Sequence, residues 1–244
     1  MRNAYLTIDD IPTANTEKLI DFLVSKNIKP VMFVWGERLE RHTDKAIYAL
    51  KHGAVLQNHS YSHPHFGELT FDQAVEEINR NEKLINSAYE AAGVKRPFKL
   101  FRFPFGDQGG ENRQKLQNFL IENNFAHLDD TSISVSDYTA TGCPEDQKNN
   151  RDVLWTFDFA EYNLRPGNDF SFNDVIKRIE DKFGTAENPA YPQPEADSKA
   201  KEIVLIHDHE ETEEMHPGYF MEQINALLAR GVRFVPPQVQ GSTI

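Results

Sequence analysis

Cysteine is almost missing from this chain: Cys143 is the single one in 244 residues. No disulfide can close within the chain, and no cysteine cluster can hold zinc; Cys143 itself reads as an inert loop thiol. Long hydrophobic runs are missing too. The longest, such as Val31-Met32-Phe33-Val34-Trp35 and Ile203-Val204-Leu205-Ile206, have the length of a strand and fall far short of a bilayer span. No membrane partner is expected. Basic charge is scarce, with 26 Lys and Arg against 38 Asp and Glu, for a formal charge of −12. That balance disfavours nucleic acid, which needs clustered cations, and equally disfavours polyanionic substrates. The first residues lack a basic segment followed by an apolar one, so no export signal is read. The expectation is a cytoplasmic protein, or a secreted or periplasmic one from which a leader has been removed. The oligomeric state stays open.

What is present suits one globular domain over residues 1–244: 39% apolar and 26% charged residues. Short apolar runs alternate with amphipathic segments. Strands are expected over 4–8 (ending at Asp9-Asp10), 31–35, 55–58, 99–103, 153–157, 203–206 and 232–235. Helices are expected over 14–27, 44–52, 114–122, 172–183 and 219–229. Thr70-Phe71-Asp72-Gln73 has the form of a capping box opening a further helix through Ala91 and Ala92, stopped by Gly93. Residues 129–152 read as a polar excursion above the domain and 188–198 as a Pro-rich loop. Such alternation predicts an α/β fold with a parallel sheet, whose chemistry collects at the C-terminal strand ends.

Asp9, His59, Arg102, Asp158 and His207 all fall at or just past a predicted strand end. Asp9 and Asp10 are neighbours, so on an extended strand their side chains point to different sides. One carboxylate can then bind a metal while the other serves as a base; a turn or helix cap is the bland reading of the same pair. His59 and His63, four apart, are close enough to share an ion, with Pro64 keeping His63 out of helical geometry. With Asp10 they make three protein ligands and leave positions open, the mark of a catalytic site. Arg102 can hold a carboxylate ionised, or be a surface residue on the turn made by Pro104 and Gly106. Phe103, Pro104 and Phe105 can wall the site or belong to the core. His207 follows four apolar residues, and Asp158 is placed to fix its tautomer and raise its pKa. His65, His209, Glu210 and Glu211 read as rim residues.

These segments resemble, in order and spacing from Leu6 to about Val235, the polysaccharide deacetylase family, also called NodB-homology domains or family 4 carbohydrate esterases. Asn58-His59-Ser60-Tyr61-Ser62-His63 and Arg102-Phe103-Pro104-Phe105-Gly106 are the most specific matches. The resemblance implies a distorted (β/α) barrel of parallel strands with outer helices, removing acetyl groups from N-acetylated or O-acetylated sugars. It implies one divalent metal, zinc foremost with Co2+ or Ni2+ as alternatives, on Asp10, His59 and His63. Asp9 would be the base, Arg102 would position it, His207 would be the acid and Asp158 would orient His207. The Phe105 amide would meet the oxyanion, Leu205 would line the acetate pocket, and Phe103, Pro104, Phe105, Gly106 and Tyr162 would face the sugar. Ile8, Ile11 and Glu161-Tyr162 depart from the family pattern, and 107–152 is longer than a minimal member needs. Two rivals remain at this stage. A carboxylate with two histidines also describes non-haem iron enzymes, and a barrel of this kind could bind carbohydrate without turning it over.

Overall fold

The computed structural model describes residues 1–139, 150–193 and 198–241. Cys143, the middle of the polar excursion and part of the Pro-rich loop lie outside the described residues. The chain runs β1 (Arg2–Ile11), α1 (Thr16–Ser25), β2 (Val31–Val34), α2 (Gly36–Arg41), α3 (Thr43–Lys51), β3 (Val55–Asn58) and α4 (Phe71–Ala92). It continues with α5 (Arg113–Glu122), α6 (Val135–Thr139), β4 (Phe157–Asp158), α7 (Phe172–Phe183), β5 (Glu202–His207), α8 (Glu210–Met215), α9 (Tyr219–Ala229) and β6 (Val232–Phe234). All strand pairings are parallel, in the order β3-β2-β1-β5-β4. Ala4 pairs with Glu202 of β5 and with Phe234 of β6, so β6 takes the β1 edge that β2 occupies further along.

Two single bridges close the barrel. Phe101 pairs with Asn58 at the end of β3 and with Asp152, and the 152–158 segment then runs into β4 beside β5. Full strands were expected over 99–103 and 153–157, and the structure shows why they do not form. The Leu100 N–H donates to the Gln57 side chain and the Lys99 carbonyl accepts from Ala126, so neither joins a ladder. The carbonyls of Val153 and Leu154 are taken by the Arg102 guanidinium. The helices α2 and α8 were not foreseen, being too short to show a 3.6-residue period. For α4 the expected cap is present: Thr70 accepts from the Gln73 amide, Gln73 returns the bond, and Gly93 ends the helix at φ 68°.

Strand pleat decides what reaches the mouth. Ala4, Leu6 and Ile8 pack outward against α1, α3, α7 and α9, in one cluster with Leu19, Ala49, Ile179 and Leu227. Tyr5 joins Val31, Phe33, Leu100, Val153 and Ile203 in a separate cluster. By alternation Thr7 and Asp9 continue the face of Tyr5, and Leu205 and His207 continue that of Ile203. Asp9 and His207 are paired directly across β1 and β5. Among the described residues, no helix is long and apolar enough to cross a membrane.

Candidate active site

At the end of β1 the regular pleat breaks. Ile8 pairs with Met32 and Ile11 with Val34, so one extra residue is inserted, and Asp10 sits at φ 65°. Such a bulge re-aims a side chain. The expectation that Asp9 and Asp10 face different sides is corrected by it. His59 Nε2 lies 3.6 Å from Asp9 Oδ2 and 3.6 Å from Asp10 Oδ1, so both carboxylates converge on one imidazole.

His59 leaves β3 beside the segment that carries Arg102. Its Nδ1 lies 2.8 Å from the Arg102 carbonyl, an acceptor only, which makes Nδ1 the protonated nitrogen and leaves a lone pair on Nε2. Burial, opposed by the nearby Asp9, pushes the His59 pKa down to about 4, so the ring is neutral at pH 7. The turn to His63 is held from α4. Glu77 accepts from the amides of Tyr61 and Ser62 and from the Ser62 hydroxyl. Buried Asn81 donates to the carbonyls of Val34 and Ser60 and to Asn58. Gly36 permits this approach, since a Cβ there would stand 2.9 Å from the Tyr61 Cα.

Asp10 Oδ1 lies 3.1 Å from His63 Nε2 and 3.6 Å from His59 Nε2. A tetrahedral ion with bonds near 2.1 Å holds its donors about 3.4 Å apart. Asp10 Oδ1 is also buried and has no hydrogen-bond partner among the described residues, which is costly unless a cation takes it. Donor types, spacing and the orphaned oxygen all fit one divalent ion. Burial alone would raise the Asp10 pKa, but the His209 hydrogen bond to Oδ2 and the His63 imidazole beside Oδ1 outweigh it and hold the carboxyl well below its ordinary value.

Arg102 lies behind Asp9, wholly buried. Its Nη1 donates to Asp9 Oδ1 at 2.7 Å and to Thr7 Oγ1 at 2.9 Å, while Nε and Nη2 reach the carbonyls of Val153 and Leu154. The guanidinium thus fixes the carboxylate and ties β1 to the strand segment it faces. An Arg102→Met chain keeps the volume and strands a buried carboxylate with three other acceptors. We expect it to lose about 3–5 kcal/mol of stability, read as a lower urea midpoint.

The partner assigned to His207 needs correcting. His207 Nδ1 lies 3.1 Å from Glu161 Oε1, and the His207 amide donates to the same oxygen. Asp158 is not the orienting group, because Ala160 at φ 58° turns the chain and carries Glu161 under β5. The Asp158 oxygens accept instead from the Ala160 amide at 2.8 Å and the Tyr162 hydroxyl at 3.4 Å. Asp158 still acts on the imidazole through its charge. Burial opposes the imidazolium, but Glu161 first and Asp158 second push the His207 pKa up to about 10. Burial raises the Asp158 pKa in turn.

A cavity of about 340 Å³ opens over these groups. Asp9, Asp10, His59, His63, Asp158 and His207 line it together with Phe103, Phe105, Gly106, Trp155, Tyr162 and Leu205. Pro104 does not; it is buried in the turn below. Phe103 belongs equally to a core cluster with Phe66 and Phe101. Phe105 is 58% exposed and is stacked on His65, which stays at the rim as expected. His209 does not. It is buried and its Nε2 lies 2.6 Å from Asp10 Oδ2. The signal for it was the spacing: an extended residue two past His207 shares its face, and His209 is extended, at φ −117° and ψ 128°. Arg165 also lines the cavity and went unread.

The sequence profile described as polysaccharide deacetylase matches residues 1–122, the half that carries Asp9, Asp10, His59, His63 and Arg102. The chain belongs to the polysaccharide deacetylase family. It is 35% identical over 113 residues to a bifunctional xylanase/xylan deacetylase of Cellvibrio japonicus, covering 46% of this chain and 16% of that protein. It is 33% identical over 120 residues to a peptidoglycan-N-acetylglucosamine deacetylase of Bacillus cereus, covering 48% of this chain and 42% of the relative. The chain thus spans less than half the length of these relatives. For the remaining half the likeness is one of fold. The chitin deacetylase of the fungal pathogen Colletotrichum lindemuthianum superposes with a TM-score of 0.63 over 96% of this chain and 84% of that one, at 17% identity. The distorted parallel α/β barrel expected of a deacetylase domain is therefore the fold observed.

Proposed function

We propose that this deacetylase-family chain is a divalent-metal-dependent hydrolase that removes acetyl groups from N-acetylated or O-acetylated sugars. One observation carries the reading: a single cavity holds an Asp-His-His donor set with an orphaned carboxylate oxygen, a second carboxylate outside that set, and an imidazole raised into its protonated form. Zinc suits two imidazoles and one carboxylate with a position left open, and Co2+ or Ni2+ accept the same donors.

When bound, the ion supplies a Lewis acid for the acyl carbonyl and lowers the pKa of water. The chain's own residues do the rest. Asp9, held by Arg102, takes the proton from water as its oxygen adds to the carbonyl carbon. The Phe105 amide, in the turn lining the cavity, donates to the developing oxyanion. His207 then gives its proton to the departing amine nitrogen or alcohol oxygen as the C–N or C–O bond breaks, leaving acetate. Leu205 packs the acetyl methyl. Tyr162, Phe105 and Gly106 face the sugar. The relatives named above act, by their names, on xylan, on N-acetylglucosamine of peptidoglycan and on chitin. They support an acetylated glycan as substrate here.

Neither rival gains from the geometry. Oxygen activation has no use for the Arg102-held Asp9, and a binding barrel has none for a matched base and acid. The test is acetate release from a panel of acetylated sugars. Protein stripped by a chelator should lose at least about 100-fold in rate, and one equivalent of Zn2+, Co2+ or Ni2+ should restore it. Equal rates before and after stripping, or no acetate from any sugar, would refute the proposal.

A further inference from the structure

His209 is a third imidazole at the proposed metal centre, outside the Asp10, His59 and His63 set. Its Nε2 stands 2.6 Å from Asp10 Oδ2, the oxygen turned away from His59 and His63, which both approach Oδ1. An ionised carboxylate only accepts, so the hydrogen between the two lies on Nε2, and no lone pair of that nitrogen can face an ion. The other nitrogen, Nδ1, is buried and has no hydrogen-bond partner among the described residues.

The surroundings are built to hold this contact. The Asp208 amide donates to the Asp9 carbonyl, extending the β1–β5 pairing past His207. Asp208 Oδ2 accepts from the Thr16 hydroxyl at 2.8 Å. Arg38 donates both to the Asp10 carbonyl and to the Asp208 carbonyl, so the bulge and the segment bearing His209 are fixed to one guanidinium. The Tyr219 hydroxyl donates to the His207 carbonyl and accepts from the His209 amide.

We propose that His209 is a positioning residue for the metal ligand Asp10, engaging Oδ2 so that the carboxylate presents Oδ1 alone to the cation. The proposal rests on the metal-dependent reading above and deepens it. Outer partners of this kind commonly set about 10- to 100-fold of metal affinity. His209 would act on how tightly and in what geometry the ion is held.

The experiment uses the full chain and Zn2+ or Co2+ as probes. Zinc affinity is measured by chelator competition, and the visible spectrum of the Co2+ form reports coordination geometry. His209→Phe keeps the ring and removes the donor; His209→Gln keeps an N–H. We expect His209→Phe to bind zinc about 10- to 100-fold more weakly and to shift the Co2+ bands, with His209→Gln recovering most of both. A folded His209→Phe chain with wild-type affinity and spectrum overturns the proposal. So does loss in His209→Gln as large as in His209→Phe. Should His209→Phe not fold, side-chain nitrogen NMR of the unsubstituted zinc form decides. A proton on Nε2 of His209 supports the proposal, and a proton on Nδ1 alone, as a direct ligand through Nε2 would show, overturns it. If the unsubstituted chain binds no stoichiometric divalent ion, the metal-dependent reading itself fails. That result is distinct from tight binding that ignores position 209.

Discussion

An Asp9→Asn chain should bind its metal almost as the parent does and release acetate about 10²- to 10⁴-fold more slowly. Asp9 Oδ1 is occupied by Arg102 and Oδ2 faces His59, so an amide fits the same space and still accepts from the guanidinium. The donor set of Asp10, His59 and His63 is left intact. Asp9 now favours the charged form of His59, so its neutralisation makes that ring still less basic and cannot eject the ion by protonating a ligand. What disappears is the group that accepts a proton from water. Metal content and acetate release, measured on the same sample, separate the two effects. Normal turnover in Asp9→Asn would remove Asp9 from its role.

Glu161→Gln should produce the next largest effect, and one visible in the pH profile. With Glu161 ionised, His207 stays protonated up to about pH 10. The sign follows from the charge. Glutamine withdraws the anion that stabilises the imidazolium, burial then disfavours it, and the pKa falls toward or below the ordinary histidine value near 6.5. The alkaline limb of kcat/KM should move to lower pH. At pH 8 a drop to about 6.5 leaves roughly 3% of His207 protonated, a loss of about 30-fold in rate. Asp158→Asn should shift the limb in the same direction but less, since Asp158 contributes charge and no hydrogen bond to that ring. A larger shift in Asp158→Asn than in Glu161→Gln would return the orienting role to Asp158.

The order of elements was legible in the sequence because each carries a local signature. The capping box at Thr70, the glycine stop at Gly93 and the amphipathic runs of α7 and α9 are short-range patterns. The candidate metal donors stood out for a different reason: neither the Asp-Asp pair nor the histidines four apart is specific alone, but their order and spacing at predicted strand ends resemble those of one family. The illegible parts depend on backbone conformation or on distant partners. Nothing local announces that Asp10 will take a left-handed φ, or that Ala160 will do so and bring Glu161 to His207 in place of Asp158. The strand shortfall at 153–157 comes from Arg102, which lies some fifty residues earlier and claims the carbonyls. The place of His209 needed only the two-residue strand repeat, applied one step past the end of the observed strand at His207.

The bulge at Asp10 also limits how such a centre can be transplanted. A parallel barrel with an unbroken pleat offers, at two successive positions of one strand, one inward side chain and one outward. Copying the reactive side chains onto such a scaffold would therefore seat a single carboxylate and bury the other among the helices. An engineer moving this chemistry to a new host must carry the extra backbone residue along with the functional groups.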